Sequence, residues 1–83
     1  MNHMETNSIA DRVAAEVKAA MKDEGISQRE MARRTGIPLN TLSARLNPRS
    51  IRPFTMGELG LVLDTLNISL VELAVRAERK VPA

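Results

Sequence analysis

Between residues 26 and 53 the chain places six arginines, Arg29, Arg33, Arg34, Arg45, Arg49 and Arg52, against one acidic residue, Glu30, a local balance of +5. Residues 1–25 carry −2 and residues 54–83 carry −1, so the whole positive excess lies in the middle third. A guanidinium stays charged and presents a planar fork that matches phosphate or carboxylate in bidentate fashion. A solvated face usually mixes signs, whereas arginine concentrated in this way suits a polyanion. Short uncharged polar residues, Asn40, Thr41, Ser43 and Asn47, are interleaved with the arginines and can hydrogen-bond without repelling or attracting charge.

Other chemistries are poorly supplied. There is no Cys, hence no disulfide framework, thiolate nucleophile or thiolate metal site, which fits a reducing cytosol. His3 is the only His and falls in a polar N-terminal stretch, so neither a metal nor a catalytic role is expected of it. No paired carboxylates flank a nucleophile, no enzyme is expected, and no cofactor or small-molecule ligand is suggested. The longest apolar run, Leu59 to Leu63, is far short of the roughly 20 residues that a bilayer demands. The stretch "MNHMETNS" lacks the apolar segment of a signal peptide. A cytoplasmic protein is expected.

What must position the arginines is a set of short helices. At 83 residues the chain is one domain, and with Phe54 its only aromatic, the core must be Leu, Ile, Val, Met and Ala. Ile9, Val13, Val17 and Met21 recur every fourth residue, with Ala10, Ala14 and Ala20 beside them, which predicts a first helix over about 9–24. Asn7 or Ser8 can cap its start, and Gly25 suits the left-handed residue after its end. Ser27, Thr55 and Ser69 are each followed three residues later by Glu, at Glu30, Glu58 and Glu72, the capping-box signature. Phe54 before Thr55 is placed to form a hydrophobic staple with Leu59. The elements expected are helix 2 over about 28–35, helix 3 over 39–47, helix 4 over 56–66 and helix 5 over 70–79. Asn67 and Ile68 end helix 4, Pro48 stops helix 3, and Pro53 keeps residues 48–54 extended. No stretch alternates with period two, so the fold class is all-α. A flexible tail over 1–8, a domain over 9–79 and a frayed end over 80–83 complete the organisation.

Helices 2 and 3 are too short to persist alone in water and must pack through Met31, Ala32, Ile37, Leu42 and Leu46. Between them, Gly36 can take φ > 0 and end helix 2 sharply, and Pro38 suits the entry of the next helix. Ala32 and Gly36, four apart, would keep the chain small where two helix axes pass closely. The stretch "SQREMARRTGIPLNTLSARLN" resembles the helix-turn-helix of the lambda repressor and Cro family, and "RPFTMGELGLVLDTLNISLVEL" is similar to that family's fourth helix and the start of its fifth. The resemblance spans residues 9 to 74 and implies a compact five-helix domain that binds double-stranded DNA. Thr35 departs from the pattern where Leu is frequent, and Arg45 where an apolar residue is usual; Leu46 is the available substitute anchor.

On helix 3, Leu42, Leu46 and Leu39 fall within about 60° of one another, and Asn40, Thr41, Ala44 and Asn47 lie on the other side with Ser43 at the border. Small residues there permit close approach to a major groove; Asn can pair with adenine, and Ala or Thr methyls can touch thymine. The resemblance implies base contacts by Leu39, Asn40, Ser43 and Ala44, and phosphate contacts by Gln28 and Asn47. Thr41, Arg49 and Arg52 are added as phosphate contacts from their place on the polar face and in the following loop, with Arg45 on the flank. Leu39 has two readings, core residue or thymine contact, and both stay open. At least one of Arg29, Arg33 and Arg34 should face solvent or pair within the chain.

Helices 4 and 5 carry more apolar residues than one small core can bury. Leu59, Val62, Leu63 and Leu66 form one inward stripe and Leu70, Leu73 and Ala77 another, which leaves Leu61, Val71 and Val75 as a possible dimer interface. The function expected is a sequence-specific transcriptional regulator, a small phage-type repressor binding a pseudo-palindromic operator as a homodimer. The alternatives are an antitoxin that regulates its own operon and a protein-interaction module of the same fold.

Overall fold

The ends of the helices are written in the local sequence, and a computed structural model describes residues 8–47 and 52–79. Among the described residues there are five helices, α1 (Ile9–Glu24), α2 (Gln28–Thr35), α3 (Leu39–Leu46), α4 (Met56–Leu66) and α5 (Leu70–Arg79), and no strand. Of the tail expected over residues 1–8, residues 1–7 lie outside the described residues, as do the stop at Pro48 and the frayed end over 80–83.

Ser8, rather than Asn7, caps α1 by accepting from the Asp11 N–H at 3.1 Å. Gly25 (φ 70°) ends it: its N–H reaches the Lys22 carbonyl, and that of Ile26 reaches Met21 at 2.9 Å, a Schellman closure. Asn67 (φ 58°) and Ile68 close α4 in the same way on Asp64 and Leu63. Ile26 and Ile68 are both half-buried against the core, the apolar contact that accompanies this closure.

The three capping boxes divide. Only Thr55 and Glu58 exchange both bonds, at 3.1 and 3.0 Å. Ser27 and Ser69 do accept from the N–H groups of Glu30 and Glu72. The two carboxylates, however, turn to arginines one turn further on, Arg33 and Arg34 for Glu30 and Arg76 for Glu72. At Glu30 and Glu72 the arginine lies three or four residues on, on the carboxylate's own helix face, and the charge-assisted bond replaces the backbone one.

The core joins all five helices through Val17, Met21, Met31, Ile37, Leu42, Leu46, Val62, Leu63 and Leu73, with Leu42, Met31 and Val62 fully buried. Replacing Leu42 by Ala would cost about 2–5 kcal/mol by the usual scale of core truncation. Two apolar stripes are shorter than their periodicity suggested. Ile9 is 48% exposed and Leu70 is 50% exposed, because each lies in the first turn of its helix, at the edge of the packed face. Leu46 is 1% exposed and does supply the anchor at the end of α3.

Candidate nucleic-acid interface

The junction between α2 and α3 is made by residues 35–38. Gly36 sits at φ 81° and its N–H bonds the Ala32 carbonyl at 2.9 Å, closing α2 in the left-handed conformation. A Cβ at Gly36 would meet nothing within 4 Å, so glycine is required by the backbone conformation and not, as its spacing from Ala32 suggested, by a close passage of helices. Thr35, the departure from the family pattern, donates its hydroxyl to the Met31 carbonyl (2.8 Å) and accepts from the Ile37 N–H (3.2 Å), tying both sides of the turn. Ile37 then drops into the core, and Pro38 starts α3 without a side-chain cap bond.

With Leu42 and Leu46 buried beneath it, α3 turns Asn40, Ser43 and Ala44 outward. Thr41 is half-buried, and Asn47, placed in helix 3 by its periodicity, is the exposed, extended C-cap residue. Leu39 is half-buried: it packs on the core and also lines a shallow groove with Ser27, Arg29, Glu30, Ala32 and Arg33. One side of Leu39 therefore packs inward and the other is open. The structure also joins residues that lie 15 apart in the chain, since the Ser43 hydroxyl donates to Gln28 Oε1 at 2.7 Å. The first residue of α2 and the middle of α3 thus form one polar edge.

The arginines are less available than their number implies. Arg33 and Arg34 both bind Glu30, and the hydrogen bonds from Arg33 and then Arg34 hold that carboxyl below its ordinary range. The Glu30 bond in turn raises the Arg33 guanidinium. Arg29 is exposed and makes no ion pair among the described residues. Arg45 was expected on the flank of the DNA face; it is instead half-buried and grips Glu58, Nε to Oε1 at 2.7 Å and the second nitrogen to Oε2 at 3.2 Å. That bond raises the Arg45 guanidinium and, with the Thr55 N–H, lowers the Glu58 carboxyl. Arg45 was diverted because the Glu58 carboxylate lies within reach of the last turn of α3, a proximity that spacing along the chain does not reveal. Arg52 is exposed, and Arg49 lies outside the described residues, as does His3.

On the other side, Leu61 (47%), Val71 (73%) and Val75 (45%) are exposed. Val71 and Val75 form an open apolar patch along α5 with Ala74, Glu78 and Arg79; Leu61, on α4, is not part of it. No three acidic or imidazole groups among the described residues are gathered as a metal would require. No described helix is long and apolar enough to cross a membrane.

Two short helices at a glycine turn, the second with a small polar outer face above a leucine floor, define a helix-turn-helix DNA-binding domain. A helix-turn-helix family model matches residues 17–73, from the middle of α1 into α5. The chain belongs to that family, the XRE-type helix-turn-helix proteins that include lambda repressor and Cro, and is a DNA-binding transcription regulator. No curated protein and no solved structure matches the chain.

Proposed function

We propose that the protein is a small phage-type repressor that binds a pseudo-palindromic operator as a two-fold dimer, with α3 in the major groove. The observation that carries this reading is the outer face of α3, where exposed Asn40, Ser43 and Ala44 are short and uncharged. Such a face can approach base edges closely; Asn40 would pair with adenine, and Ala44 and the free edge of Leu39 would touch thymine methyls. Because Gln28 Oε1 is occupied by the Ser43 hydroxyl, the amide nitrogen of Gln28 is the end left to donate to a phosphate. Exposed Arg29 joins Thr41, Asn47, Arg49 and Arg52 in the backbone contacts, and Leu61, Val71 and Val75 supply the dimer interface.

Selection of duplexes from a random pool tests this directly. The enriched sequence should be an inverted repeat with half-site centres about 34 Å apart, and its binding should weaken steeply with added salt. Enrichment of no sequence, or binding indifferent to salt, would overturn the proposal.

A further inference from the structure

The Glu58 carboxylate does three things at once. It accepts from the Thr55 N–H at 3.0 Å, closing the reciprocal cap of α4. It takes both arms of the Arg45 fork, at 2.7 and 3.2 Å. Through Arg45, whose remaining nitrogen donates to the Arg52 carbonyl at 3.4 Å, it also ties the strand of chain entering α4 to the last turn of α3. The two side chains are only 16% and 20% exposed, so water competes poorly for these bonds. The backbone of α3 lies against α1 and α2, and Arg45 reaches from it to Glu58 on α4.

Stability alone gives a weak reason for such a pair. A desolvated ion pair is often matched or bettered by apolar residues of similar volume, and Leu46 already anchors this end of α3 in the core. What an apolar contact lacks is direction. A leucine floor allows α3 to roll by small rotamer adjustments, whereas a bidentate fork fixes both a distance and a plane. A helix of eight residues, uncapped by any side chain at Pro38, gains most from such a clamp at its other end.

We propose that Arg45 and Glu58 are positioning residues for DNA recognition, the bidentate pair setting the roll of α3 and hence the aim of Asn40, Ser43 and Ala44, without either residue touching DNA. The proposal rests on the reading of α3 as the recognition helix. It assigns to an internal clamp an arginine whose charge and place in the last turn of α3 suggest a phosphate contact.

The test compares wild type with Glu58→Gln, which can keep the cap of α4 but loses the charge, and Arg45→Lys, which keeps the charge but loses the fork. Each is titrated against the duplex selected by the wild-type protein and against a scrambled duplex of equal length, alongside thermal melting. Both variants should lose about tenfold in discrimination between the duplexes, the scale of one well-made base contact, with scrambled-duplex affinity nearly unchanged and a fall in melting temperature too small to unfold the protein at the titration temperature. Full discrimination in Arg45→Lys would show that charge suffices and overturn the role of the fork. A parallel drop on both duplexes in Arg45→Lys, or a loss that follows the fall in melting temperature, would make the pair a phosphate contact or a purely structural one. Failure of the wild type to prefer any duplex would remove the recognition-helix reading and this proposal together. Preference in the wild type with unchanged variants removes the positioning role alone.

Discussion

At the scale of single residues, the proposed function gives base reading to the exposed face of α3 and the hold on phosphates to exposed arginines. Asn40 stands exposed on the outer face of α3, where a helix gives Asn no propensity advantage, while Arg29 stands exposed at the second residue of α2 with no ion pair among the described residues. The two substitutions should behave differently. Asn40→Ala is expected to cost about 1–3 kcal/mol on the selected duplex and to relax the preference at one base pair. Arg29→Ala is expected to weaken selected and scrambled duplexes alike and to flatten the salt dependence by about one phosphate contact. Titrations at several salt concentrations distinguish them, and the same signature from both would contradict the division of roles. Counting arginines overstated the free positive charge: Arg33, Arg34 and Arg45 are each committed to a carboxylate. Glu30 and Glu58 were visible in the sequence, but only as capping residues.

At the scale of elements, the angle of the helix-turn-helix depends on a backbone conformation that few residues tolerate. Gly36→Ala meets no steric neighbour, yet it forces an L-residue to φ 81°, which should cost about 1–2 kcal/mol and lower the melting temperature. Stability unchanged in urea titration would mean that the turn adapts freely. The helix ends also respond to acid. Glu30 and Glu58 titrate below their ordinary value of 4.5, so their pairing favours the folded state once both are ionised and is lost as protons return. Stability should therefore be level near neutrality and decline as the pH falls below about 4.5, through the lowered values. Melting curves should show a shallower acid decline for Glu58→Gln than for wild type.

At the scale of the whole molecule, one eight-residue recognition helix offers little specificity, and two held a DNA turn apart offer much more. The exposed Val71 and Val75 on α5 face away from a core that α5 already fills with Leu73 and Ala77. Placing an acid there, as in Val75→Glu, should leave the fold and half-site binding intact and abolish dimers in sedimentation at micromolar concentration. A wild type that sediments as a monomer at high micromolar concentration, and binds one half-site only, would exclude the two-fold assembly.

The sequence by itself determined where the helices begin and end and which face of α3 is apolar, because caps, glycines and a 3.6-residue period act over a few neighbours. Gly25, Gly36, Asn67 and the Leu42–Leu46 floor were all legible for that reason. Only the tertiary structure decided how the charges are shared. Whether Glu58 caps α4 alone or also clamps Arg45, and whether Gln28 meets Ser43, depends on bringing together residues 13 and 15 apart in the chain. Those distances follow from how α3 seats on the core, and no local spacing rule encodes them. The same limit applies to Leu39, whose apolar period placed it on the floor and whose half-burial left one side facing outward.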